Sequence, residues 1–298
     1  MKAIHVVSTR PTTNYYVSRD ERTPYRQEDF EVLTTVLSAL EWRRHNGMIR
    51  LYTDPVGLEF YDRLGLLDIW DGGVDADHLE PVSRTINCGV FWSFGKIAAL
   101  RREQAPCCVL DTDLIVWDSI GDLVTSEVMS LHEEPLTFPT YVGRDGLVAP
   151  PGFDWSGLDW SVTPCSAALL VFTGEAFKNA YADRALSFMT GSPIPSEPGD
   201  GLPAHPIFAE QRLLPMLAKA RGVRIGSFLR DYRGIELQCG RKNTTFTHLW
   251  NAKTLLHGKP VRRRELCARY AGRIRRDHPE VAAVLARSTL LGAHFKDS

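Results

Sequence analysis

The chain has 298 residues, 44% hydrophobic and 24% charged, with 35 Lys and Arg against 36 Asp and Glu for a net charge of −1. That composition belongs to a folded globular protein and excludes a collagenous or wholly disordered chain; without a basic excess, nucleic acid is not an expected partner. The length exceeds the usual ~100–200 residues of a domain, yet α/β chains of this size often remain one body around a large core.

The apolar start Met1–Ser8 is too short for a signal peptide, and no later run reaches ~18 apolar residues, so the expected location is cytoplasmic. Six cysteines (88, 107, 108, 165, 239 and 267) form no C-x-x-C pair. They read as reduced thiols of a reducing compartment. Asn243-Thr244-Thr245 matches a glycosylation sequon, expected to be silent without secretion.

Short apolar runs alternate with amphipathic segments through the first half, which predicts a βαβ sheet. Residues 3–8 read as the first strand. Phe30, Leu33, Leu37 and Leu40 recur at helical spacing, followed by a strand over 49–53 closed by Asp54-Pro55 and a short helix over 57–64. A third strand is predicted at 66–70, before the turn Asp71-Gly72-Gly73. A helix over 91–102 leads to the apolar strand Cys107-Cys108-Val109-Leu110, which ends abruptly in Asp111-Thr112-Asp113 before Leu114–Trp117 resumes as a strand. Residues 134–164 are rich in Pro, Gly and aromatics. A buried strand is predicted at 167–172, a helix at 174–189, and a functional loop at 191–206, with five prolines and three glycines. A helix over 207–221, a strand over 223–228 and an arginine-rich helical tail from 261 complete the pattern. The expected division is 1–260 for the main domain and 261–298 for a helical extension.

Two carboxylates at the tip of a buried strand cannot both stay ionised without a compensating cation. Asp111 and Asp113 therefore predict a divalent metal with hard oxygen ligands, Mn²⁺ or Mg²⁺, with coordination positions left for phosphate oxygens. On this reading, removing Asp113 relieves repulsion and leaves the fold intact. The plain alternative is a turn that happens to hold two aspartates.

The segment Cys107–Trp117 resembles the DxD segment of GT-A-fold, nucleotide-sugar-dependent glycosyltransferases, with a more distant likeness to glycogenin-like enzymes. The resemblance implies a GT-A mixed α/β sheet flanked by helices, a UDP-linked sugar donor, and a glycan or lipid-linked acceptor. It also implies a donor site built from Ser8, Thr9, Asp54, Lys96, Asp111, Thr112, Ser166 and Lys253. Cys165-Ser166-Ala167 stands where such enzymes carry an Asn-Ala-Gly motif, and lacks its Asn and Gly. Glu210-Gln211 is similar to the acidic or amide pair near the reacting sugar carbon, which assigns those two residues the catalytic role. Thr247–Lys253 resembles the His-x-x-Gly-x-Lys segment, with His248 as a metal ligand beside Asp111 and Asp113, Lys253 on the diphosphate, and Asn251 in place of the Gly. His257-Gly258-Lys259 is a compressed rival for the same role.

The physical logic is independent of the likeness. A nucleotide-sugar leaves as a diphosphate that gains charge in the transition state, where metal and lysine stabilise it. In an open α/β sheet such groups belong at the carboxyl ends of strands, where Ser8, Asp54 and Asp111 fall. Each assignment has a structural alternative: an Asp-Pro turn for Asp54, a solvated helix residue for Lys96, a first-turn acid for Glu210. Trp155, Asp159 and Trp160 suit an acceptor site, because sugar rings stack on indoles while carboxylates take hydroxyls; both indoles packing under the loop is the alternative. Arg262, Arg269, Arg273 and Arg276 lie beside an apolar strip of Leu266, Tyr270 and Ile274. That helix predicts either peripheral contact with an anionic membrane or a solvated face.

Two rival functions remain at this level. A haloacid-dehalogenase-type phosphotransferase also opens with D-x-D, but it wants Thr or Val four residues after the first Asp, where this chain has Ile115, and a later acidic pair for Mg²⁺, where this chain has no Asp-Asp. A non-catalytic sugar-nucleotide-binding protein of the same fold is the other.

Overall fold

The computed structural model describes residues 1–10, 25–194, 203–230, 245–250 and 252–296. Cys239, Asn243, Thr244, Asn251 and residues 195–202 of the proline-rich segment lie outside the described residues.

Nine strands are described: β1 (Lys2–Val6), β2 (Ile49–Tyr52), β3 (Val74–Asp75), β4 (Cys107–Leu110), β5 (Leu114–Val116), β6 (Val128–Ser130), β7 (Leu169–Phe172), β8 (Ile225–Ser227) and β9 (Phe246–His248). Seven form one sheet in the order β3-β2-β1-β4-β7-β6-β8, and β5 pairs with β9 in a separate ribbon. The neighbours from β3 to β4 run parallel, β7 is antiparallel to both β4 and β6, and β8 is parallel to β6. This is the mixed α/β sheet flanked by helices expected from the sequence.

The helices that matter for the site are α1 (Asp29–His45), α2 (Pro55–Arg63), α3 (Leu79–Ser83), α4 (Phe94–Arg102), α5 (Glu175–Met189), α6 (Ala204–Ile207), α7 (Leu213–Ala220), α8 (Ala252–Gly258), α9 (Pro260–Asp277) and α10 (Pro279–Leu285). One core lies between the sheet and α1, α9 and α10; the other lies between the sheet and α4, α5 and α7. β4 sends Cys108 and Leu110 into the first and Cys107 and Val109 into the second. Burial on both faces is why this strand reads as an unbroken apolar run.

The third strand differs from expectation. Residues 67–69 form a 3₁₀ turn, and the strand is Val74–Asp75. Leu66, Ile69 and Trp70 are buried at helical spacing, i, i+3 and i+4, a pattern that a short apolar run does not separate from a strand. Gly72 donates its N–H to the Ile49 carbonyl, and a Cβ there would sit 2.9 Å from that oxygen, so only glycine lets the backbone approach β2 this closely. The strand starts after that contact.

The arginine-rich tail also differs. The apolar strip of α9, with Leu266, Tyr270 and Ile274, is buried in the core it shares with α1, so it does not face a membrane. Several arginines are committed to carboxylates: Arg263 Nε to Asp29 at 2.7 Å, Arg273 Nε to Asp277 at 2.5 Å, and Arg276 Nε to Asp277 at 2.9 Å. Among the described residues no helix is long and apolar enough to cross a membrane. Because Ile274 is fully buried, Ile274→Ala is expected to cost about 2–5 kcal/mol in urea unfolding. A cost below about 0.5 kcal/mol would mean that α9 does not share the core.

Candidate functional site at the carboxyl edge of β1 and β4

Chain order and sheet order part ways between β1 and β4: the chain leaves β1 for β2 on one side, and β4 later joins on the other. Such a switch point opens a crevice beyond the carboxyl ends of the two strands. The residues that end them are Ser8 and Thr9 after β1 and Asp111-Thr112-Asp113 after β4.

Asp111 is fixed by its N–H donating to the Ala168 carbonyl at 2.8 Å, and its own carbonyl accepts from Leu114 N–H at 3.0 Å, closing the turn into β5. The β5–β9 ribbon then pairs Leu114 with His248, and Leu249 N–H bonds the Asp113 carbonyl at 3.0 Å. This ribbon brings His248 from far along the chain to the DxD turn. The ligand atoms of Asp111, Asp113 and His248 all lie within 4.8 Å of one another. His257 is exposed, its ring 5.4 Å from that of Phe30, and does not join the cluster.

Two lysines flank these carboxylates. Lys253 Nζ, from α8, is 2.8 Å from Asp113 Oδ2, while His248 Nε2 is 3.5 Å from Asp113 Oδ1. Burial alone would raise the Asp113 carboxyl, but Lys253 and His248 outweigh it and hold the group well below the ordinary carboxylate range. Lys96 Nζ, from the first turn of α4, lies 2.5 Å from Asp111 Oδ1 and 2.6 Å from Glu210 Oε1. Burial works against its charge, yet the two carboxylates push its pKa well above the usual lysine value. Glu210 moves the other way: burial raises it, and Lys96 only partly offsets that.

Glu210 and Gln211 sit in a widened π turn, Phe208–Arg212, between α6 and α7. A π turn shifts backbone hydrogen bonds and leaves carbonyls without helical partners. Tyr181 of α5 supplies one, its hydroxyl donating to the Glu210 carbonyl at 2.8 Å. Gln211 O accepts from Cys165 N–H at 3.2 Å, and its side-chain Oε1 accepts from the Tyr141 hydroxyl at 2.7 Å. The turn thus aims Glu210 at Lys96 and Gln211 at Tyr141. Neither tyrosine carries a sequence signal beyond being aromatic.

Other expected site residues take different positions. Thr9 donates to Asp54 from its N–H and from its hydroxyl, each at 2.6 Å, and Asp54 also caps α2 through Gly57 N–H at 3.0 Å. These bonds tie the end of β1 to the start of α2, which is the Asp-Pro turn reading of Asp54. Ser166 is buried ahead of β7, its N–H bonded to the His132 carbonyl at 2.9 Å, and Thr112 is half-buried at the tip of the turn. Trp160 stacks on Phe208 with ring centroids 5.6 Å apart and has the Arg212 guanidinium 5.1 Å from its ring. Trp155 packs against Phe153, Phe188 and Phe208. Asp159 caps its own turn through Ser161 and pairs with Lys219 at 2.5 Å. The segment is built as an aromatic cluster clamped by Arg212, which donates to the carbonyls of Tyr141, Val142 and Trp160.

A divalent cation suits this donor set. The residues supply two carboxylates and an imidazole within reach of one centre, and the buried His248 Nδ1 has no hydrogen-bond partner among the described residues. Ser8 Oγ, at the end of β1, is likewise buried without one. A buried polar atom left unpaired costs stability unless a ligand completes it.

Fold and site together define an α/β protein with a carboxylate–imidazole cluster and two lysines at the carboxyl edge of its central strands. No protein-family model matches the chain, and no curated protein matches it. Among solved structures, it is similar to mouse xyloside xylosyltransferase 1 in the apo form, at 10% sequence identity and a TM-score of 0.37, covering 76% of this chain and 85% of that one. A likeness this distant carries no argument about activity.

Proposed function

We propose that this chain is a metal-dependent glycosyltransferase of GT-A fold, moving a sugar from a nucleotide-sugar, UDP-linked, to a hydroxyl of a glycan acceptor. One observation carries the reading: Asp111, Asp113 and His248 converge with Lys96 and Lys253 at the crevice between β1 and β4. Asp111, Asp113 and His248 would hold the cation, and an imidazole in that set favours Mn²⁺ over Mg²⁺. When bound, such a cation supplies Lewis-acid stabilisation of a departing diphosphate.

The chain's own residues supply the remaining roles. Lys253 places a second positive charge beside Asp113, where the leaving diphosphate gains charge. Lys96 holds Asp111 and Glu210 in a fixed relation, which orients the carboxylate nearest the sugar. Ser8 Oγ offers an unspent hydroxyl to the nucleotide at the end of β1.

The test is a calorimetric titration of EDTA-treated protein with UDP, with and without Mn²⁺. UDP is expected to bind only with Mn²⁺, and His248→Gln is expected to weaken Mn²⁺ binding tenfold or more, about 1.4 kcal/mol. Equal Mn²⁺ affinity in the two proteins would remove His248 from the site. Failure of wild-type protein to bind any nucleoside diphosphate with Mn²⁺ would overturn the reading.

A further inference from the structure

Among the described residues the buried acids are compensated, with one exception. Glu41 meets Arg273, Glu103 meets Arg50, Asp113 meets Lys253, Glu210 meets Lys96, and Asp54 caps a helix. Glu134, 7% exposed, pairs with no Lys or Arg among the described residues, and none of them donates a hydrogen bond to its carboxylate. The ionisable partner in reach is His132, whose Nδ1 is 3.7 Å from Glu134 Oε1 and 3.0 Å from the Glu133 carbonyl oxygen. Burying a carboxyl this way costs stability, so a site that keeps one has another use for it.

Its position supplies that use. Val128, Met129 and Leu131 are apolar and buried, with buried Ser130 between them, and the chain then emerges as His132-Glu133-Glu134, a mostly apolar strand leading to carboxylates as Cys107–Leu110 leads to Asp111 and Asp113. β6 is parallel to β4, with β7 between them, so Glu134 leaves the sheet at the edge where Asp111 does. Glu134 N–H bonds the Pro164 carbonyl at 2.9 Å, and Glu133 bridges Cys165, just before Ser166. Cys165 and Tyr141 both feel the charges of Glu134 and Glu210. The edge therefore runs from Lys253 and Asp113, through Asp111, Lys96 and Glu210, to Tyr141, Cys165 and Glu134. Glu134 closes the end away from the lysine assigned to the diphosphate.

We propose that Glu134 is the acceptor-side base of this site, its carboxylate receiving the hydrogen bond and then the proton of the attacking hydroxyl. The inference rests on the glycosyl-transfer reading and names the end of the site where a polyhydroxyl acceptor enters. The hydroxyl oxygen forms its bond to the anomeric carbon as its proton passes to Glu134. The bond from that carbon to the diphosphate oxygen breaks, its electron pair leaving with the diphosphate, and the neutral carboxylic acid later returns its proton to water. Burial pushes the Glu134 carboxyl up to about 7, where a base is poised to accept and release a proton near neutrality. The groups beside it are His132 and Glu133 on its own segment, Cys165 ahead of β7 and Tyr141 on the following loop; Glu210 on the π turn acts on Cys165 and Tyr141 rather than on Glu134 itself. Burial raises the Cys165 thiol and the Tyr141 hydroxyl, so both stay neutral through this range.

Glu134→Gln tests the role in full-length, Mn²⁺-loaded protein, with UDP-glucose, UDP-galactose, UDP-xylose and GDP-mannose as probes and nucleoside diphosphate release to water or an aryl glycoside as the readout. Release is expected to fall by about 100-fold or more, with UDP affinity unchanged within about twofold. The wild-type rate is expected to fall as pH drops through about 7, and the variant to lose that limb. A raised carboxyl pKa favours the fold below the unfolded value and disfavours it as pH rises through the folded one, so the variant is expected to melt higher than wild type at pH 8 and level with it at pH 4. Wild-type turnover in the variant, or loss of UDP binding together with a lower Tm at both pH values, overturns the role. Wild-type protein that binds no UDP with Mn²⁺ overturns the transfer reading and this role with it, whereas intact UDP binding with undiminished turnover in the variant overturns the role alone.

Discussion

Asp113→Ala is expected to abolish Mn²⁺-dependent UDP binding and to destabilise the metal-free fold. The sequence suggests the opposite for stability, because two adjacent aspartates repel and removing one relieves them. The arrangement of charges reverses that sign. Asp113 is not held against Asp111 alone; it is the counter-ion of Lys253 at 2.8 Å and faces His248 at 3.5 Å. Deleting it removes the nearest counter-ion of both Lys253 and His248 and leaves them only Asp111, which already pairs with Lys96. The cost is about 1–3 kcal/mol, near the lower end for a charged hydrogen bond because the Lys253 side chain is 40% exposed. The pH dependence has a defined sign. Asp113 is held well below its ordinary value of 3.8, so its stabilisation is present above about pH 4 and is lost as pH falls through the depressed folded value. Urea unfolding of EDTA-treated wild type and variant is expected to differ at pH 7 and to converge in acid. Equal stability at pH 7 would mean that the Lys253 contact contributes nothing, and retained Mn²⁺-dependent UDP binding would remove Asp113 from the metal site.

What could be read in advance followed from local pattern. The β4 run and the carboxylates after it were legible because a strand buried on both faces has to be apolar, and charge at its tip has to be answered. The histidine and lysine of residues 247–253 stood out as donor types in a short segment. Their meeting with Asp113 depends on the β5–β9 ribbon, a three-residue pairing that no local periodicity announces. The Lys96–Glu210 contact joins residues 114 apart and exists because α4 and the π turn pack on the same core, so helical spacing alone reads both as surface residues. Trp155 and Trp160 looked like sugar platforms because an indole carries the same pattern whether its partner is a ligand or Phe208. The α9 arginines looked like a membrane face for a related reason: an amphipathic helix is defined by its own sequence, and what covers its apolar strip, here α1, is not. Glu134 carries no local signal, because a Glu-Glu pair after a three-residue strand resembles a solvated turn until its burial is known.

Lys96→Met is expected to separate metal binding from turnover. In the metal-free protein the ammonium 2.5 Å from Asp111 Oδ1 occupies one of the oxygens that a cation needs, so lysine and metal compete for the same charge. Methionine fills a similar volume without charge, and Asp111 is then free to bind Mn²⁺ at no cost of displacing Lys96. Mn²⁺ affinity in the absence of nucleotide is therefore expected to rise by about threefold or more, a gain of about 0.7 kcal/mol. Turnover is expected to move the other way, by about 100-fold or more, for a reason that lies at Glu210. Burial already raises that carboxyl, and Lys96 is its partner at 2.6 Å; without the ammonium the carboxyl is raised further, takes up a proton more readily and loses the charge that the proposed mechanism places at the sugar. A purely structural lysine would give a different signature, with lower Tm, weaker Mn²⁺ binding and lower turnover together. Calorimetric Mn²⁺ titration alongside donor turnover decides between them. If Mn²⁺ binding weakens in Lys96→Met in step with turnover, Lys96 does not compete for Asp111, and its place is in the support of the metal site rather than in the orientation of Glu210.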